Sequence, residues 1–180
     1  LFKNALKFNC ILQEKEPMTT FTKRTYGSFG QFWDDVRFLR TNRSAVQAAM
    51  SGKTVSPAFR ERIILAVTAV NQCRYCSYVH TRAALKSGVS REEVENLFAG
   101  MFDAEPEEER VALLYAQHWA ETRGHPDPEM TDRLKDSYPP ETVEAVHGVI
   151  RMINLSNLFG NTVDRVLYAL SFGLLGGDKK

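Results

Sequence analysis

The residues best equipped for chemistry lie in one short segment. Cys73, Cys76 and His80 follow one another at spacings of three and four, and Glu61 stands twelve residues before the first cysteine. On a helix, neighbours at i,i+3 and i,i+4 share a face, so the two sulfurs and the imidazole would project together. A cysteine is a useful nucleophile only as thiolate, and a nearby imidazole can hold its proton or stabilise its charge. Placement in the first turn of a helix lowers the thiol pKa further. The second sulfur sits where it can trap an oxidised first one as a disulfide. An ideal helix holds i,i+3 Cβ atoms too far apart for that bond, so the spacing predicts a helix terminus or a local rearrangement at the pair. If the helix carrying Glu61 packs against the next as an antiparallel hairpin, Glu61 returns toward His80, where it can orient the imidazole or relay protons.

Other readings of the same residues stay open at this point. A CxxC with a histidine could supply three of four zinc ligands, completed by Cys10, His118 or His147. Structural zinc pairs usually sit on tight turns with a second pair further on, and no second pair is present. A thioredoxin-like site would need a sheet that the sequence does not offer. The cysteines and histidine could also be core residues without chemistry. The expectation is a redox pair that binds no metal and needs no cofactor.

The elements that must position these residues read almost wholly as helix. Apolar residues at 3–4 spacing from Phe29 to Met50 predict two helices broken within 41–44, with Gly52 after the second. Ser56-Pro57 is a helix start, and the helix runs through Ile63, Ile64 and Val67. Its β-branched residues would also suit a strand, but the start signal and the length favour helix. A helix over 73–87 closes at Gly88, and Ser90 with Glu93 forms a capping box for the next. Pro106 and three glutamates open another, with acids at the positive end of the helix dipole. Asp127-Pro128 caps a short helix. Pro139-Pro140 starts a long one through Asn157, and a last helix is expected over 162–174. A weak echo relates Glu61-Arg62-Ile63 to Glu109-Arg110-Val111.

The bulk numbers exclude more than they assign. The 180 residues suffice for one domain with a real core, and 43% apolar with 25% charged residues is ordinary for a globular protein. A net charge of +1 points to neither nucleic acid nor an anionic membrane surface. No apolar run approaches bilayer-spanning length. Residues 1–17 lack a clear period and a secretory pattern, and Met18 is a candidate natural start. The expected organisation is an N-terminal arm over 1–17, native or not, and one helical domain over 18–180. Three cysteines do not make a secreted disulfide framework, and a lone CxxC predicts a cytoplasmic redox protein.

Residues 56–97 resemble the core of the AhpD-like family, which also includes carboxymuconolactone decarboxylases. The shared pattern is Arg60-Glu61-Arg62 before an apolar helix, then Asn71-x-Cys73-x-x-Cys76-x-x-x-His80, then Ala83, Gly88 and the acidic capping box. Residues 153–159 resemble the family's last long helix. The resemblance implies an all-α, single-domain helical bundle, assembled as a homo-oligomer with trimer or hexamer favoured. It implies a peroxidase acting on hydroperoxides, with Cys76 as the attacking sulfur, Cys73 as the resolving one, and His80 and Glu61 as the proton relay. An external dithiol, such as a lipoyl-bearing protein, would recycle the pair. The decarboxylase branch generally lacks the cysteine pair, which argues against that activity. The alternatives are a decarboxylase-like enzyme and a non-catalytic redox sensor. One departure stands out: Tyr75 occupies the place, directly before the inner cysteine, where the well-studied alkylhydroperoxidase has a second histidine. This implies a shorter relay.

Overall fold

The computed structural model describes residues 21–177. These form eight α-helices: α1 (Phe29–Thr41), α2 (Arg43–Met50), α3 (Pro57–Asn71), α4 (Arg74–Lys86), α5 (Arg91–Ala99), α6 (Glu107–Glu121), α7 (Pro128–Ser137) and α8 (Pro140–Leu170). No strand occurs among the described residues, as the sequence predicts. The suggested arm at 1–17 lies outside them.

The local starts follow the capping chemistry. Ser56 Oγ accepts from the Phe59 amide at 3.1 Å. Ser90 and Glu93 satisfy each other's backbone amides at 3.1 and 2.7 Å. The expected break between α1 and α2 falls at Asn42. Asp127 precedes α7 without a side-chain cap bond.

Helix α3 is the axis of the bundle. Every residue from Glu61 to Thr68 is buried, because α4, α5, α6 and α8 pack around it. Its β-branched residues, ambiguous in the sequence, are therefore core residues of a helix buried on all sides.

The C-terminal segment differs from expectation. The two helices predicted beyond Pro140 are one, a 31-residue α8 that ends at Leu170. At 1.5 Å per residue it is roughly 46 Å long and crosses α1, α2 and α3. Two glycines mark its closest approaches. A Cβ on Gly148 would lie 3.3 Å from Val46 Cγ2, so α2 lies directly against the α8 backbone there. A Cβ on Gly160 would lie 3.7 Å from Cys73 Sγ, so the same backbone runs past the sulfur. Packing on both sides of Gly160 keeps the helix continuous through a residue of poor helix propensity.

A polar layer inside this interface fixes α3 against α8. Asn71 Nδ2 donates to Asn154 Oδ1 at 3.0 Å, Asn157 Nδ2 donates to Thr68 Oγ1 at 3.2 Å, and Asn161 Nδ2 donates to the Asn71 carbonyl at 2.7 Å. All five residues are buried. A wrong register would leave several of these groups unpaired, each at about 1–3 kcal/mol. The layer therefore fixes where α3 ends, two residues before Cys73.

Candidate active site at the start of α4

Gln72 closes α3 in the left-handed conformation, with φ 58°. Its amide donates to the Thr68 carbonyl at 2.8 Å. This turn lets α4 begin at once, and Cys73 becomes its N-cap residue. Cys73 has an extended backbone (φ −79°, ψ 102°), not a helical one, which brings its sulfur over the first turn. The two Sγ atoms are 2.7 Å apart. A disulfide needs only a sub-ångström approach to its ~2.05 Å bond length. Both sulfurs are reduced and buried.

The electrostatics of the pair are asymmetric. The two thiols lie within hydrogen-bond distance, and Cys73 Sγ also accepts from the Cys76 backbone amide at 3.4 Å. The thiol hydrogen bond outweighs the opposing effect of burial and brings the Cys73 pKa down from 9.0 to about 7. Cys76 is pushed up, first because its proton is held by Cys73, then by burial. The pair thus loses its first proton as a unit, with the charge resting on Cys73. A hop of the remaining proton across 2.7 Å moves that charge to Cys76 without changing the total. We expect one thiol of the pair to be alkylated by iodoacetamide with a midpoint near pH 7, the rate rising with pH as thiolate forms. Cys76→Ala removes the donor and should shift the Cys73 midpoint toward ordinary thiol values. An unchanged midpoint in that variant would show that the thiol contact does not set the acidity.

The structure brings Glu61 and His80 together. Glu61 Oε2 lies 2.8 Å from His80 Nδ1, across the α3–α4 hairpin. Glu61 is buried, and Arg60 lies 3.4 Å from its other oxygen. An Nδ1–H donated to Glu61 leaves Nε2 as the basic nitrogen, one helical turn beyond Cys76. Tyr75, where the relay departs from the resembling pattern, is 77% exposed and takes no part in this group.

The other titratable candidates lie elsewhere. His118 Nε2 accepts from the Asp127 amide at 3.2 Å, and His147 faces Tyr115 at 3.3 Å. Cys10 lies outside the described residues. Among the described residues no group of three or more His, Cys, Asp or Glu side chains is arranged to hold a metal.

Residues 37–118 match the carboxymuconolactone decarboxylase family. The matched stretch runs from α1 into α6. The match spans Glu61, Cys73, Cys76 and His80. Comparison with curated proteins and with solved structures gave no significant match.

Sequence reasoning missed Lys23 and Asp164. The Lys23 ammonium is buried and pairs with Asp164 at 2.7 Å, and it also donates to the Gly176 carbonyl at 3.0 Å. The pair acts on Cys73 in opposite senses, Asp164 raising its pKa and Lys23 lowering it. A lone lysine far from the motif gives no sequence signal of this. The asparagines did give one: Asn154, Asn157 and Asn161 recur at helical spacing on a core-facing stripe, where apolar residues are the rule.

Proposed function

We propose that the protein is a thiol-dependent oxidoreductase that reduces hydroperoxides with the Cys73–Cys76 pair. The observation that carries this reading is two reduced sulfurs at 2.7 Å on a helix N-terminus, with a carboxylate–imidazole pair one turn away. The Cys76 thiolate attacks the O–O bond, so the sulfur becomes a sulfenic acid and the alkoxide leaves, taking a proton to become an alcohol. The Cys73 thiol then condenses with the sulfenic acid, forming the disulfide and releasing water. An external dithiol, such as that of a lipoyl-bearing protein, reduces the disulfide and is itself oxidised. His80, oriented by Glu61, takes the Cys76 proton and returns it to the leaving oxygen.

The test is turnover. With cumene hydroperoxide and excess dihydrolipoamide, an enzyme consumes many equivalents of peroxide per chain, whereas a redox sensor consumes one and stops. A single equivalent consumed under these conditions overturns the catalytic reading.

A second reading rests on the charge held by Cys73. If Cys73 is the attacking sulfur, the site exchanges disulfides as thioredoxin-type pairs do, and disulfide reduction is the better description of the activity.

The same proposal includes a homo-oligomer, trimer or hexamer. Its support is the apolar surface at the end of α8 and beyond, where Val166, Leu170, Phe172, Leu174 and Leu175 are exposed. Large exposed apolar side chains gathered in one stretch of chain suit an interaction surface. Light scattering at micromolar concentration should give an assembly, and a monomer mass would remove this part of the proposal.

A further inference from the structure

A second feature of the molecule is a cleft away from the cysteines. It lies between the 24–26 segment, α1, the end of α6 and the middle of α8, and has a volume of about 550 Å³. That is within the size range of small-molecule sites. Four arginines line it against two aspartates, a surplus of two positive charges among these six side chains.

Where the surplus lies follows from the pairing. Asp35 is buried, and its carboxylate is already engaged by Arg151 at 2.8 Å, Tyr26 at 2.8 Å and Asn154 at 3.2 Å. The Arg151 guanidinium lies over two rings, 4.8 Å from the centre of Phe38 and 5.2 Å from that of Trp119. Asp34 is paired with Arg37 at 2.7 Å. Arg24 and Arg123 remain. Arg24 donates to the carbonyls of Ala120 and Glu121 at the end of α6, so no side-chain carboxylate bonds it directly. Arg123 makes no side-chain hydrogen bond or ion pair among the described residues. Burial and the charge of Arg123 both hold the Arg24 pKa below its ordinary value, with Glu121 opposing them.

The backbone supports a placed Arg123. It sits at φ 55°, the left-handed region that disfavours residues with a Cβ, directly before Gly124 at φ 85°. A Cβ on Gly124 would come within 3.1 Å of Trp119, so glycine there lets the turn close over the indole. An arginine at the strained position of this turn carries its guanidinium to the cleft rim. Strain at a residue with an unpaired charge beside a cleft is an observation from which function can be argued.

We propose that this cleft binds a small organic oxyanion, a carboxylate or a phosphate monoester, with the anionic group held by Arg24 and Arg123 and the apolar body against Phe38 and Leu158. Guanidinium groups match both oxyanions bidentately, which is the recognition the surplus charge permits. The site is separate from the redox reading and stands if that reading fails.

Calorimetric titration of the full chain with phenyl phosphate and with benzoate tests it, with inorganic phosphate and phenol as the two halves of the ligand. At least one aryl anion should bind, and the tighter of the two names the anionic group. Phenol and inorganic phosphate should each bind at least tenfold more weakly, roughly the loss of one interaction to a charged group. Arg123→Gly removes the guanidinium and suits a positive φ, so the variant should keep or raise its melting temperature while losing about ten- to a hundredfold in affinity. Cys73→Ser should bind as the unmodified protein does. The proposal is overturned if neither aryl anion binds at millimolar concentration, if phenol binds as well as the anions, or if inorganic phosphate does. It is also overturned if Arg123→Gly binds undiminished.

Discussion

Replacing Cys76 with serine is expected to abolish peroxide consumption, while replacing Cys73 with serine leaves a single round of it. In the proposed cycle Cys76 makes the only bond to peroxide oxygen, so its loss leaves no acceptor. Without Cys73 the Cys76 sulfenic acid forms but cannot condense, and it stalls or over-oxidises. The resting charge on Cys73 gives this comparison its force, because acidity alone would favour the opposite assignment. What favours Cys76 is the resemblance and the position of His80, one turn along α4. His80→Ala should slow the first oxidation by roughly 10²–10⁴-fold, the range for a lost acid–base group. It should also raise the pH at which that oxidation is half-maximal. Glu61→Gln should act in the same direction but less, since Glu61 works through Nδ1 of His80 at 2.8 Å. Mass spectrometry after one equivalent of cumene hydroperoxide reads all four variants. Oxygen added to Cys73 in Cys76→Ser, with no oxidation in Cys73→Ser, would reverse the roles of the two sulfurs.

How far the sequence discloses the molecule depends on the range of the interaction concerned. Caps and turns are local, so the starts at Ser56 and Ser90 and the break near Asn42 are legible, as is the helical face that gathers Cys73, Cys76 and His80. The meeting of Glu61 with His80 needs only a hairpin between consecutive helices. The continuity of α8 is a different matter. Gly160 weakens the helix locally, and what holds it is packing against α1 and α3, on residues more than a hundred positions upstream or some ninety away. The left-handed Gln72 is equally silent, since nothing in its type signals positive φ. The cleft is the extreme case. Arg24, Arg123 and Arg151 come from three distant parts of the chain, and each read alone is an ordinary surface residue. The echo between Glu61-Arg62 and Glu109-Arg110 shows the converse. The similar tripeptides do dissimilar things: Arg62 binds three carboxylates, whereas Arg110 donates to the carbonyls of Glu105 and Asp103.

Replacing Arg62 with alanine should cost more stability than any other single change outside the apolar core. The Arg62 guanidinium is buried on α3 and meets Glu93 at 2.6 Å, Glu105 at 2.7 Å and Glu109 at 3.1 Å, tying α5 and α6 to the central helix. Glu105 is almost fully buried, and its oxygens have no aligned hydrogen bond among the described residues, so its contact with Arg62 is purely ionic. Three carboxylates against one guanidinium already leave excess negative charge. Glu93 is held below its ordinary pKa by Arg62 and its cap bonds, despite burial, whereas burial pushes Glu105 and Glu109 up. Removing one partner of a buried ionic group typically costs about 3–5 kcal/mol. The loss should depend on pH, and the sign follows from Glu105. A carboxyl whose folded pKa is raised stabilises the fold when protonated, and that contribution is lost as pH rises through the folded pKa. Without Arg62 the pKa of Glu105 rises further, so Arg62→Ala should be most destabilising near neutral pH and least at mildly acidic pH. Arg62→Lys keeps one charge but cannot reach three carboxylates in fixed geometry, and should fall between the two. Adding Glu105→Gln to Arg62→Ala should recover part of the loss by removing the charge left buried. Urea denaturation at neutral and mildly acidic pH measures each case. A loss below about 1 kcal/mol for Arg62→Ala, the size of an exposed ion pair, would mean that water reaches the cluster and the three helices are held by their apolar contacts alone.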